Sequence, residues 1–443
     1  MRTTRKSEAG LSTPSGFLTS VRHFLTPAVW KQAQSVCPAK RKRRWDMQPL
    51  ILALLAMTWL TQPTVEERFQ VACSFVIACR PKRSRPGRTV PGFLKAVHRL
   101  PVRVFHLLSR CIRHRLLERG LLQRIAGFFP VGVDGSRLSC PRTQELEERL
   151  PAVGTSSAPQ LWITALVHLL SGVPWWWKVG KGTASERAHL QAMLSCLPLN
   201  SLIVADAGFV SYALYLRIIL CGHHMVVRMK SSVQLFTQSH VPMTRYQQGR
   251  VLWWPDARRF RDHPPIPARL VRIAGKHGGG DVWLLTTVLD RHALSRKQIG
   301  KLYRLRWENE CFFRSYKRTL GKVKLWGRTI KTVHREVQAS LLAVQLLLAQ
   351  VLRCGLPAQA VPSLSRALQV IRQDLHHYAS HYRRRTRYEK RLRSAFRDRR
   401  IRHAAKIRKP WPRQKTYHPP KPPQLLTTLV DIKHLLYPKN TAA

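Results

Sequence analysis

Residues 303 to 317 read YRLRWENECFFRSYK, and within them Tyr303, Arg306, Glu310 and Lys317 follow one another at steps of three, four and seven. On a helix turning about 100° per residue these four share an arc of about 60°, whereas Glu308 falls about 140° away from Tyr303. Geometry therefore selects Glu310, not Glu308, as the carboxylate that shares a face with an arginine and a lysine. The plainer reading is an Arg306–Glu310 ion pair on a solvated helix face; Trp307 and Phe313 argue instead that the helix is packed. Two more acids stand out. Asp134 in VGVDGS and Asp206 in IVADAG each close an apolar run of strand length and are followed closely by glycine. Such aspartates are common turn residues, yet strand ends are also where an α/β sheet opens a crevice. Three carboxylates from two strand ends and a helix are hard oxygen donors. They suit two divalent ions about 4 Å apart, the arrangement that activates a water or a 3′-hydroxyl and stabilises the leaving oxygen in phosphoryl transfer. The neighbouring cations would hold the phosphodiester in line.

The elements that must position these residues are set in a very basic chain. Its 443 residues carry 77 Lys and Arg against 22 Asp and Glu, a formal charge of +55. Such a charge repels itself unless a polyanion binds, and nucleic acid is the partner it favours. No membrane partner is expected: no basic amphipathic helix or lipid anchor is visible, and the apolar run 50–60 is shorter than the ~20 residues of a spanning helix. The first residues, MRTTRKSEAGLSTPSG, lack the apolar core of a secretory signal, so a cytoplasmic, nucleoid-associated protein is expected. The nine cysteines show no metal-type spacing and read as reduced, mostly buried thiols. His223–His224 and the cluster His376, His377, His381 lack acidic or cysteine partners and read as surface or phosphate-facing groups.

Residues 1–125 read as a helical, basic DNA-binding domain. It contains an apolar helix over 49–60, a Thr64/Glu67 capping box opening a helix to Cys79, a Pro/Gly/Arg loop over 80–92, and helical periodicity from 93 to 125. From 126 to 230 the order becomes a mixed α/β sheet. It has strands at 128–136, 161–170, 174–180, 200–209 and 224–230, and helices at 183–197, capped by Thr183 with Glu186, and at 211–221. Residues 231–290 read as a β-rich insertion. Residues 291–353 carry a long helix over 295–320 and another over 334–353. The remainder, 354–443, is a basic C-terminal region in which 383–415 hold 16 Lys or Arg against Glu389 and Asp398. That segment reads as a solvated arm or one that contacts phosphates.

The spacing Tyr303-x2-Arg306-x3-Glu310-x6-Lys317 resembles the Y-x2-R-x3-E-x6-K box of bacterial DDE transposases of the family named for insertion sequence four. VDGSRL around Asp134 is similar to that family's first acidic motif, and SERAHLQAML followed by LIVADAGFVSY to its second. The likeness covers about 128–350. It implies a ribonuclease-H-like mixed sheet with helices on both faces and a β insertion before the last acid. It also implies a metal-binding catalytic triad of Asp134, Asp206 and Glu310 using Mg²⁺, with Mn²⁺ able to substitute, and DNA contacts from Tyr303, Arg306 and Lys317. The implied function is cut-and-paste transposition of its own element. It proceeds through double-stranded DNA at terminal inverted repeats and at the target, a hairpin intermediate, and a homodimer holding both ends. An insertion tryptophan of the family stacks on a flipped base, which implies such a role for Trp253 or Trp254. As an alternating strand pair they equally read as a small β core, with Arg258 and Arg259 near enough in sequence to hold adjacent phosphates. A catalytically inactive relative that only binds DNA, and a structure-specific nuclease with the same chemistry, are the rival readings. All three acids and the whole box are present, which argues against the first.

Overall fold

A computed structural model of the chain describes residues 16–37, 44–78, 86–154, 156–255, 264–275, 280–355, 361–377, 385–397, 421–428 and 431–437. Among the described residues six helices come first: α1 (Gly16–Val21), α2 (Pro27–Val36), α3 (Met47–Trp59), α4 (Val65–Ala78), α5 (Val90–Arg99) and α6 (Val102–Glu118). Helix α3, MQPLILALLAMTW, is apolar all round and buried along its length, as an apolar helix without a polar face must be. Helix α4 starts at the expected capping box: Glu67 N–H donates to Thr64 Oγ1 at 3.2 Å and Thr64 N–H to Glu67 Oε2 at 3.3 Å. Two helices replace the continuous one expected over 93–125. Pro101 cannot extend α5, and α6 stops at Glu118 before Gly120 at φ +60°. The loop expected to reach 92 gives way to helix at Val90.

Ten strands among the described residues form one sheet. They are β1 (Phe129–Ser139), β2 (Gln160–His168), β3 (Pro174–Lys181), β4 (Ser201–Ala205), β5 (His224–Arg228), β6 (Gln234–Thr237), β7 (Gln248–Trp253), β8 (Ile266–Ile273), β9 (Val282–Thr286) and β10 (Gln424–Thr427), in the order β10-β6-β7-β8-β9-β5-β4-β1-β2-β3. Strands β1, β4 and β5 are parallel; β2, β3 and β9 join antiparallel. The strands of the expected β-rich insertion, 231–290, prolong this sheet, through β9 on β5 and β8 on β9. Helices α7 (Gln144–Arg149), α8 (Glu186–Met193), α9 (Tyr212–Leu220), α10 (Arg296–Leu305), α11 (Trp307–Arg314), α12 (Ile330–Arg353), α13 (Leu364–His377) and α14 (Arg385–Arg393) complete the main elements.

The central strands are apolar on both faces because both are covered. Val131, Val133, Ile203, Ala205 and Val227 face a large core that also takes in α3, α6 and α12. Leu202, Val204 and Val226 face a smaller one with Ile299 and Leu302 of α10. The N-terminal helices thus share the core of the sheet. Among the described residues no helix is long and apolar enough to cross a membrane. Eight cysteines there are free thiols, but only Cys73 and Cys140 are buried; the other six are partly exposed. The His223–His224 pair is structural, not surface-facing. His223 is buried with Nε2 against the Leu194 carbonyl at 3.1 Å, and His224 stacks edge-on with Phe128.

Candidate active site

Strand register brings the two aspartates together. Phe129 pairs with Ser201 and Gly132 with Val204. The same offset sets Asp134 level with Asp206, one residue beyond the end of β4, and neighbouring strands lie about 4.8 Å apart. Asp134 is not at a strand end. Strand β1 runs on to Ser139, paired with β2 through Gln160. What ends at Gly132 is the pairing with β4, so Asp134 stands in mid-strand where one flank opens. Asp206 opens the short 3₁₀ turn Ala207–Phe209, its Oδ1 accepting from Gly208 N–H at 2.7 Å. Asp134 Oδ1 accepts from Gly135 N–H at 2.9 Å.

The third acid arrives on α11. The single helix expected over 295–320 is three pieces: α10 ends at Leu305, α11 runs from Trp307 to Arg314, and Ser315–Thr319 form a π turn. A constant step per residue therefore holds from Arg306 to Glu310 but not on to Lys317, which lies in the wider turn. Arg306 Nη2 donates to Glu310 Oε1 at 3.0 Å. The pair is the expected i, i+4 one, yet its side chains are only 19% and 33% exposed, so the face is packed rather than solvated. Tyr303 lies under the Arg306 guanidinium, 5.7 Å from ring centroid to Cζ. Lys317 is half-buried, and burial lowers its pKa. Phe313 is buried as expected, but Trp307 is not: it is 51% exposed, with the Arg314 guanidinium over its ring. Glu308 faces away, towards Gly172, Phe312 and Pro362. Gly132 permits this approach of α11 to β1, because a Cβ there would collide with the Asn309 amide and Leu169. That amide is fully buried, and among the described residues neither of its polar atoms has a hydrogen-bond partner.

Burial raises the Asp134 pKa to about 6; Gly135 N–H opposes the rise, the charges of Asp206 and Glu310 add to it, and Arg306 lowers it. All three acids thus act within one electrostatic neighbourhood. A fourth carboxylate, unanticipated as a site residue, joins them. Glu186 does not complete a capping box with Thr183; Ser185 is the cap, accepting from Ala188 N–H at 3.4 Å. Burial pushes Glu186 up to about 7, and Asp134 and Asp206 add to the rise. The available signal was SERAHL itself, where an acid stands at the first helical position beside the second motif.

In type, these residues fit divalent cations: several carboxylate oxygens and no soft ligands. Their side chains are nevertheless held apart. Among the described residues no three His, Cys, Asp or Glu side chains are gathered closely enough to hold one ion, since Asp134 and Asp206 bond backbone N–H groups and Glu310 bonds Arg306. Binding would require Glu310 to leave Arg306.

The two tryptophans part company. Trp253 is 5% exposed and packs edge-on against Tyr212 and Tyr215, at 6.1 and 5.1 Å between centroids. That removes it as a DNA contact, because β7 turns it into the core. Trp254 is 39% exposed. Arg258, Arg259, His381 and most of 383–415 lie outside the described residues.

No curated protein matches the chain. A solved structure, a piggyBac transposase in a synaptic complex with hairpin DNA, is similar at 11% identity over 88% of this chain and 87% of that one, with a TM-score of 0.42. The family described as the transposase DDE domain matches residues 131–346, a stretch that begins in β1 before Asp134 and ends in α12 beyond the Tyr303-to-Lys317 box. The central part of this chain is thus similar to the transposase DDE domain.

Proposed function

We propose that this protein is a cut-and-paste DNA transposase of the insertion-sequence-four type. Asp134, Asp206 and Glu310 are its catalytic carboxylates, and it acts on the terminal inverted repeats of its own element. The observation that carries this reading is the β1–β4 register, which sets Asp134 beside Asp206 at the point where the sheet opens, with Glu310 close enough to raise the Asp134 pKa. Mg²⁺ or Mn²⁺, when bound by these carboxylates, supplies the charge that activates the attacking oxygen and stabilises the leaving one. Arg306 is set to hold a non-bridging phosphate oxygen. Were Glu310 to engage a cation, Nη2 would be freed, and among the described residues Nε has no hydrogen-bond partner. Lys317 adds a compact second positive charge. Tyr303 props the guanidinium from below. In the first step water adds to phosphorus and gives up a proton to a base, the P–O3′ bond breaks, and the leaving 3′-oxygen takes up a proton from solvent to become the free 3′-hydroxyl. In strand transfer that hydroxyl attacks a target phosphorus and gives up its proton to a base; a new P–O bond forms as the target's P–O3′ bond breaks, and the target 3′-oxygen leaves and takes up a proton from solvent. Trp254, exposed at the end of β7, is the residue that would stack on a base extruded as a hairpin forms, and a homodimer would hold the two ends.

The test uses a plasmid carrying the gene with its flanking DNA. Mg²⁺-dependent nicking at short inverted repeats bounding the gene is expected, lost in Asp206→Asn while DNA binding persists. Nicking by Asp206→Asn as fast as by wild type would overturn the assignment. Binding without any cleavage by the wild type would favour the inactive-relative reading.

A further inference from the structure

Helix α11 is short and jointed at both ends. Arg306 separates it from α10, and the π turn Ser315–Thr319 follows it. Such π turns set beside α-helical residues are frequent at functional sites. The buried side chains of α11 are Phe312 and Phe313, whose apolar contacts have no direction to satisfy, and Asn309. Asn309 is 0% exposed, and among the described residues neither Nδ2 nor Oδ1 has a hydrogen-bond partner. It lies against the main chain of β1, where a Cβ on Gly132 would collide with its amide and with Leu169. Size alone does not call for an amide there. Leucine has the same shape and no donor or acceptor to desolvate, so asparagine makes the observed seat of α11 less stable than an apolar residue would. At the joint, Arg306 likewise keeps Nε buried and without a partner among the described residues.

We propose that Asn309 is a positioning residue that biases α11 between two seats on β1. In the observed seat Glu310 accepts from Arg306 Nη2 at 3.0 Å, and among the described residues no three carboxylates are gathered closely enough to hold an ion. In the second seat α11 turns at its two joints as one piece and Glu310 reaches the cation. The Asn309 amide then bonds backbone N–H and C=O groups of β1 beyond Gly132, where pairing with β4 has ended. The proposal deepens the function assigned above and rests on it. An amide unpaired in one seat and paired in the other favours the second, and the apparent affinity for the cation scales with the fraction of molecules that occupy it.

The test compares wild type, Asn309→Leu and Asp206→Asn as full-length proteins. Melting temperature is measured without metal, and Mn²⁺ is titrated and read from the electron paramagnetic resonance signal of the free ion. Asp206→Asn defines which Mn²⁺ binding belongs to the site. Asn309→Leu is expected to melt about 2 °C above wild type and to bind Mn²⁺ at that site about tenfold more weakly. The two effects run in opposite directions, whereas an amide that only packs would leave Mn²⁺ affinity unchanged. Wild-type affinity in Asn309→Leu overturns this inference and leaves the three-acid site standing. Weaker affinity together with a lower melting temperature also overturns it, because the amide would then be holding the observed seat. Absence of Mn²⁺ binding by wild type, or binding indifferent to Asp206→Asn, removes the underlying reading and this one with it. Should the leucine variant not fold, Asn309→Ala is read by Mn²⁺ affinity alone. Binding about tenfold weaker supports the assignment, and wild-type affinity overturns it.

Discussion

Trp253 and Trp254 are adjacent and identical in chemistry, so comparing them separates packing from DNA contact at one strand end. Trp253→Ala removes an indole that is 5% exposed and edge-packed on two tyrosines. Truncating a buried tryptophan costs about 3–5 kcal/mol, a large part of a typical domain's stability. Trp254, at 39% exposure, has far less to lose, and its truncation should cost under about 1 kcal/mol. The catalytic consequences run the other way. Stacking of an extruded base on an aromatic ring is worth roughly 1–3 kcal/mol, which is about 5- to 150-fold in rate. Trp254→Ala should therefore slow conversion of nicked ends to hairpins by that factor and leave the first nick near the wild-type rate. Urea unfolding gives the first comparison, and denaturing gels of end-labelled DNA, resolving nicked from hairpin product, give the second. Equal slowing of both steps in Trp254→Ala, or equal destabilisation by the two variants, would refute the division of labour.

Further outcomes follow from other parts of the molecule. Glu336, 2% exposed, holds Lys322 Nζ at 2.7 Å and the N–H groups of Trp326 and Gly327 at 2.8 and 3.0 Å. Glu336→Ala leaves a buried ammonium unpaired and should cost about 3–5 kcal/mol in chemical denaturation; a cost below 1 kcal/mol would contradict it. The carboxyls of Asp134 and Glu186, raised to about 6 and about 7, bind more protons in the folded chain than at their ordinary ~4 in the unfolded one. Without metal, stability should therefore fall as pH rises from about 4 to about 7. Mn²⁺ affinity should rise over pH 5.5–7.5 with release of protons, measured by calorimetry in buffers of different ionisation enthalpy; pH-independent binding would be the contrary result. Replacing the eight Lys and Arg of 399–415 by Gln should weaken DNA binding without regard to sequence and flatten log K against log salt by about 0.9 per lost contact. An unchanged slope would remove that arm from the DNA. Deleting everything from 383 would confound the test, because Tyr388 and Leu392 of α14 are buried and β10 pairs with β6.

The acids were legible because their surroundings are local: an apolar run that ends in Asp, and a helical repeat that repeats only while the helix stays regular. Asp134 and Asp206 were placed by their runs, though no local pattern shows that β1 continues past its acid; that depends on β2 pairing along the far edge. The Arg306–Glu310 pair was legible because it spans one turn, while Lys317 escaped the same geometry at the π turn. Glu186 was hidden by its position at a helix start, where an acid is favoured for capping alone. Its proximity to Asp134 depends on β1, β3 and α8 packing together. The same holds for the insertion, whose strands have ordinary alternation but whose union with the main sheet rests on β9 meeting β5 across more than fifty residues of chain.

The most direct measurement is metal-dependent cleavage of element ends by Glu310→Gln and Glu308→Gln, side by side with wild type, in Mg²⁺ and with DNA binding measured in Ca²⁺. The two glutamates are two residues apart on α11, and only Glu310 shares a neighbourhood with Asp134. Glu310→Gln should bind DNA as wild type and lose cleavage by at least a thousandfold, on the order of 4 kcal/mol of lost transition-state stabilisation. Glu308→Gln should cut at close to the wild-type rate. Cleavage that survives in Glu310→Gln and is lost in Glu308→Gln would contradict the account at its centre.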